Sequence, residues 1–127
     1  MPLEEFQSET HTRGRGRLAE REGVAWLQGQ GYRIVERNVE FKAGEIDVVA
    51  MDGETLCFVE IKARANAQFG EAVWAVTRRK QRQIAAAATL YLAETEHEGA
   101  CRFDVLAMDG EQGGWRFTLL KDAFQLD

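Results

Sequence analysis

Glu45 to Lys62, EIDVVAMDGETLCFVEIK, decides the reading of this 127-residue chain. Two apolar runs, EIDVVAM (45–51) and ETLCFVEIK (54–62), flank Asp52-Gly53, a dipeptide strongly favoured in two-residue β-hairpin turns. With Asp52-Gly53 as the loop, opposed positions sum to 105, so Asp47 faces Phe58 and Glu45 faces Glu60. Side chains alternate along a strand and opposed residues share a face. Glu45, Asp47, Glu60 and Lys62 therefore leave the sheet on one side, with Val49, Leu56 and Phe58. Ile46, Val48, Ala50, Cys57, Val59 and Ile61 leave it on the other and read as core. Asp47 and Glu60 become diagonal neighbours, about 7–8 Å apart at Cα. An even change of loop length preserves this parity, and an odd one destroys it.

Three carboxylates on one sheet face repel one another. Lys62 relieves part of that repulsion, and a divalent cation relieves more. Oxygen ligands with no His or Cys among them suit Mg²⁺ or Mn²⁺ better than zinc. Val49, Leu56 and Phe58 on the same face imply that something covers it, which favours a buried charge cluster over an ordinary solvated face.

Outward from the hairpin, Tyr32 to Phe41 reads as a further strand, joined through Lys42, Ala43 and Gly44. Upstream, Ala19, Gly23, Val24, Trp26 and Leu27 recur at helical spacing from Gly16 to Gln30, with Gly31 as a C′ terminator. Glu20 lies on the inward stripe of that helix, because Gly23, Val24 and Leu27 follow it by three, four and seven residues. A carboxylate aimed at a core is costly unless paired or bound to a cation. Downstream, a long helix covers Thr77 to Thr95 with Ile84, Ala87, Ala88, Tyr91 and Leu92 inward. Strands follow at Cys101 to Met108 and Trp115 to Leu120. The order αβββαββ predicts an α/β fold, a mixed β-sheet with helices on both faces. Residues 1–13 read as a mobile tail and 14–127 as a single domain.

Composition narrows the classes. Two cysteines without CxxC spacing exclude a disulfide scaffold or structural zinc site, and both read as buried thiols in a reducing compartment. No apolar run approaches the ~18 residues of a membrane helix, and the acidic start MPLEEFQSET is no secretory signal, so a cytoplasmic protein is expected. The net charge is −5, yet residues 1–82 balance 13 bases against 13 acids, and the deficit comes from the remainder. Bases cluster at Arg13, Arg15, Arg17 and Arg21, and again at Arg78, Arg79, Lys80 and Arg82. Both clusters flank the acidic face, so they form either a phosphate-binding rim or a solvated surface. Trp26, Trp74 and Trp115 read as anchors, with Trp74 and Phe69 placed to stack on an unpaired base. GRGRLA at 14–19 imitates a dinucleotide motif but follows no strand.

Asp47, a hairpin, and Glu60-Ile61-Lys62 resemble the signature of the PD-(D/E)xK nuclease superfamily, with Ile46 standing where its Pro is usual. The wider frame is similar to the bacterial YraN-like family: Glu20 with Ala25-Trp26-Leu27, GYRIVERN (31–38), GEIDVVA (44–50), FVEIKAR (58–64), Lys80, Tyr91-Leu92 and RFDVL (102–106). That family is functionally uncharacterised, regarded as endonuclease-like and distantly similar to archaeal Holliday junction resolvases. The resemblance spans residues 14–124 and implies a restriction-endonuclease-like fold. It also implies a metal-dependent endonuclease acting on DNA, branched DNA included. Asp47, Glu60 and the Ile61 carbonyl would then ligate Mg²⁺ or Mn²⁺, and Glu20 would complete the shell directly or through water. Lys62 would orient or deprotonate the attacking water or stabilise charge on phosphate. Arg64 and Lys80, with Arg17 and Arg78 of the basic clusters, would meet the nucleic acid. Junction cleavage would require a homodimer, and activity could depend on a protein partner. The rivals are a binding or assembly module that keeps the fold without hydrolysis, and a two-carboxylate glycosidase. Lys62 beside Glu60 and the lack of a sugar-binding aromatic run argue against the last.

Overall fold

A computed structural model describes residues 17–65, 76–111 and 113–125. The order runs from a helix over 17–29 (α1) through β1 (Arg33–Phe41), β2 (Gly44–Asp52) and β3 (Thr55–Ala65) to helix α2 (Arg78–Thr95). Strands β4 (Cys101–Gly110) and β5 (Arg116–Phe124) follow. This is the αβββαββ order that the hydrophobic periodicity implies. The strands form one sheet in the order β1-β2-β3-β4-β5, antiparallel except for the parallel β3–β4 pair. Parallel neighbours need a long crossover, and α2 lies within it.

Each face of the sheet builds its own core. Val48, Ala50, Cys57, Val59, Leu106 and Met108 pack against Ala19, Val24 and Leu27 of α1. Val49, Leu56 and Phe58 pack on the opposite face against Ala87, Ala88 and Tyr91 of α2, with Phe58 edge-on to Tyr91. The apolar residues that share the acidic face are thus covered, by α2. Trp26 stacks on Phe117 at 5.0 Å and fastens α1 over β5, and Trp115 packs into the same cluster.

Local chemistry ends the helices where the sequence indicates. In α1, Tyr32 N–H donates to the Leu27 carbonyl and Gly31 N–H to the Gln28 carbonyl. That is the Schellman pairing, and it needs the left-handed residue that Gly31 provides at φ 97°. Leu27 and Tyr32 bury together beneath it. In α2, the Thr77 hydroxyl accepts the Lys80 N–H at 3.1 Å as an N-cap.

Three expectations require correction. The β2–β3 register sums to 107, with Asp52 paired to Thr55, so the two-residue turn is Gly53-Glu54. Gly53, at φ 62°, takes the first turn position, and Asp52 closes β2, where its carboxylate accepts from Arg102 and Lys121. The shift is even, so parity holds across the paired stretch, but every opposed partner changes. Ile46 is fully buried as expected, yet among Val49, Phe58 and Tyr91 rather than with Val48 and Ala50. Cys101 is exposed, because it opens β4 at the sheet's end, while Cys57 is buried.

Residues 32, 102 and 104 form a polar staple that periodicity does not disclose. Asp104 is fully buried and accepts from the Tyr32 hydroxyl at 2.7 Å, Arg102 Nε at 2.9 Å and the Asp122 N–H at 2.9 Å. Arg102 also pairs with Asp52 at 2.5 Å. A buried carboxylate is tolerable only when so fully satisfied. Burial first, then the hydrogen bond to Asp104, pushes the Tyr32 phenol well above its ordinary range.

Candidate metal and nucleic-acid site

β2 and β3 supply the candidate carboxylates because they part company. Among the described residues their ladder ends at Val48–Val59. Extending its register by one step would set Asp47 against Glu60, but the paired ladder stops short of both. With the ladder ended, the Asp47 carboxylate itself accepts the Ile61 N–H at 2.8 Å. It thus satisfies a strand amide and is tethered beside Glu60.

The electrostatics follow from crowding like charges in a low-dielectric place. Burial first, then the charge of Glu60, raises Asp47 well above the ordinary carboxylate range, while the Ile61 amide and Lys80 pull the other way. Glu60, 6% exposed, is raised by burial and held down by Lys80 and Lys62. Desolvation disfavours an ionised carboxylate and a like-charged neighbour disfavours it further, so the pair binds protons more tightly than two free acids. Lys80 reaches the pair from α2, with Nζ 3.8 Å from Glu60 Oε2. Gly44 allows that approach: a Cβ there would lie 2.5 Å from the Gln83 carbonyl oxygen of α2. Lys62 is half-buried one strand step beyond Ile61.

Glu20 comes to the same region from α1, on the other side of the sheet. Its side chain is 19% exposed and lies 3.7 Å from the Arg37 guanidinium. Burial, then Asp47, raises its carboxyl, and Arg37 lowers it. Glu20, Glu45, Arg17, Arg21, Arg37, Asn38 and Glu40 line an open cleft of about 740 Å³ between α1 and the β1–β2 hairpin. Gly23 lets α1 descend there, since a Cβ would meet Ile61, Leu106 and Met108 side chains, each at 3.2 Å.

The structure therefore brings Asp47 and Glu60 together, with Lys80 against them, and sets Glu20 near Asp47. It does not draw a tight third acid into the pair: among the described residues no group of three or more His, Cys, Asp or Glu is arranged to hold a metal ion. Asp47, Glu60 and the Ile61 carbonyl still fit a hard cation chemically. Glu60 Oε1 and Glu20 Oε1 are buried oxygens with no hydrogen-bond partner among the described residues. A divalent cation would satisfy the first and neutralise the crowded pair. Arg17, Arg64 and Arg78 are exposed; Arg17 lines the cleft, Arg64 ends β3 and Arg78 opens α2. Arg37 and Asn38 were not singled out by the sequence, although the stretch GYRIVERN contains both. Arg13, Arg15, Phe69, Trp74 and the 1–13 tail lie outside the described residues.

The model of an uncharacterised protein family, UPF0102, matches residues 19–108, from α1 into β4. The chain belongs to this family. Within UPF0102, a protein from Chlorobium chlorochromatii is 44% identical over 118 residues, 88% of this chain and 92% of its own. One from Herminiimonas arsenicoxydans is 42% identical over 110 residues, covering 87% and 86%. One from Symbiobacterium thermophilum is 44% identical over 111 residues, covering 86% and 94%. UPF0102 is the YraN-like family expected from the motifs. The matched stretch includes Glu20, Asp47, Glu60, Lys62 and Lys80. Among the described residues no helix is long and apolar enough to cross a membrane.

Proposed function

We propose that this UPF0102 protein is a metal-dependent endonuclease that hydrolyses DNA phosphodiester bonds, branched DNA included, with Asp47, Glu60 and Lys62 at its centre. The observation that carries the reading is the Asp47–Glu60 pair, held side by side where β2 and β3 part, with a buried Glu60 oxygen that has no hydrogen-bond partner among the described residues. Such a pair is costly to fold and useful for a cation-dependent reaction. Mg²⁺ or Mn²⁺ bound by Asp47, Glu60 and the Ile61 carbonyl would supply charge stabilisation and a more acidic water. Lys62 and Lys80 carry the positive charge that a scissile phosphate needs nearby, and Asp47 is fixed by the Ile61 amide so that it does not reorganise.

The start of α2 supports a polyanionic partner. Its first turn holds Arg78, Arg79 and Lys80 and no acid. Cations at a helix N-terminus oppose the macrodipole and cost stability; Lys80 is offset by Glu60, and a polyanionic ligand would offset Arg78 and Arg79. Arg64, Arg17 and Arg21 would extend that contact. The cell compartment implied by such a substrate is the cytoplasm, and cleavage of a four-way junction would require two copies of the chain.

One observation favours a second reading, a nucleic-acid-binding or assembly module without hydrolysis. Lys80 already neutralises Glu60, and the described acids do not gather in threes. The experiment that separates the two is cleavage of labelled duplex, single-stranded, flap and four-way-junction DNA in Mg²⁺ and in Mn²⁺. Wild type is run beside Asp47→Ala and Lys62→Ala. Cleavage by wild type alone supports the nuclease. No cleavage, or equal cleavage by all three proteins, overturns it, and DNA binding without cleavage then supports the module.

A further inference from the structure

β1 contains a residue in a conformation strands avoid. Asn38 has φ 53° and lies between the Arg37–Val48 and Val39–Ile46 pairs, hence opposite Asp47. Left-handed geometry inside a strand rotates the chain out of its pleat, and Asn tolerates it far better than a branched residue does. Because β1 and β2 are paired on both sides of this position, β2 must follow the turn. β3 does not follow, since its ladder with β2 stops at Val48–Val59. Two irregularities mark the same place in β2. Ile46 packs on the α2 side, against its parity with Val48, and the Asp47 carboxylate takes the Ile61 N–H.

We infer that Asn38 is a positioning residue for the candidate site: its left-handed backbone peels β2 away from β3 at Asp47, aiming that carboxylate between the strands beside Glu60. The same turn presents Arg37 to Glu20 across the cleft. A strand that stayed in its pleat would extend the β2–β3 ladder and lose the gap in which Asp47 meets the Ile61 amide. This role rests on the site being the functional one, whereas the backbone placement stands independently of that reading.

The test uses the full chain with Asn38→Gly, Asn38→Asp and Asn38→Val, and reads hydrogen exchange at the Ile61 amide. Gly and Asp accept the left-handed conformation and Val resists it. Gly also removes the side chain that lines the cleft. Exchange at Ile61 should stay near the wild-type rate in the Gly and Asp variants and quicken roughly tenfold in the Val variant, with other β3 amides unchanged. The rise in melting temperature with added Mg²⁺ should follow the same ranking. Asn38→Ala, which meets the same backbone penalty without a branched Cβ, replaces the Val variant if that one fails to fold. Wild-type exchange at Ile61 in Val and Ala variants overturns the inference. So does quickened exchange in the Gly variant, because the amide group and not the backbone would then be responsible. A wild type with a protected Ile61 amide but no Mg²⁺ response and no cleavage overturns the nuclease reading alone.

Discussion

Replacing Asp47 by Asn should stabilise the cation-free protein at neutral pH. Two unit charges about 5 Å apart repel by about 3 kcal/mol at an effective dielectric near 20. Lys80, 3.8 Å from Glu60, and Lys62 offset part of this, leaving roughly 1–2 kcal/mol as the net penalty. The Asn side chain keeps both useful contacts, with its carbonyl oxygen accepting the Ile61 N–H and its amide donating to Glu60. For a chain of this size about 4 °C accompanies each kcal/mol, so Asp47→Asn should melt roughly 4–8 °C above wild type in EDTA at about pH 7.5.

The pH dependence fixes the cause. Asp47 is raised above the 3.8 of a free aspartate, so the folded state binds its proton more tightly than the unfolded state does. Stability then falls as pH rises from that unfolded value through the higher folded one. The Asn variant lacks this loss, and its advantage should close as the pH is brought down to about 4. With Mg²⁺ added at neutral pH, wild type should recover the difference by binding the ion, and Asp47→Asn should not. An Asn variant that melts at or below wild type at neutral pH in EDTA refutes the reasoning. An advantage undiminished at pH 4 refutes it equally, because charge would not be its source.

Gly44→Ala should destabilise by about 1–3 kcal/mol in urea unfolding, since the added Cβ would sit 2.5 Å from the Gln83 carbonyl oxygen and main chain cannot rotate away. By shifting α2 it should also weaken the Lys80–Glu60 pair, so the Mg²⁺ response should change in the same variant. In a thiol titration of the native protein, Cys101 should react within minutes and Cys57 only after unfolding. Cys57 is buried, with desolvation first and Asp104 second pushing its thiol up to about 12. Two rapidly reacting thiols in the native state would contradict that burial.

Strand and helix assignments were legible because each element carries its own period. Alternation over 45–51 and 54–62, helical spacing over 16–30 and 77–95, and Gly31 all act over a few residues. The common face of Val49, Leu56 and Phe58 was legible for the same reason, and it survived a register shift because the shift was even. The register itself was not: Asp52 is drawn out of the turn by Arg102 and Lys121, which lie 50 and 69 residues further along.

A local code cannot report partners at that separation. It could not place Ile46 in the α2 core, where the bend opposite Asn38 carries it, nor bring Lys80 to Glu60, which depends on how closely α2 rides over Gly44. It could not show that Tyr32, Arg102 and Asp104 close one network. Side-chain period and turn chemistry thus determined which residues of the paired β2–β3 stretch share a face. Only the packing of two helices on a bent sheet decided which of those residues meet, because burial, charge and strand separation are properties of elements brought together across the chain.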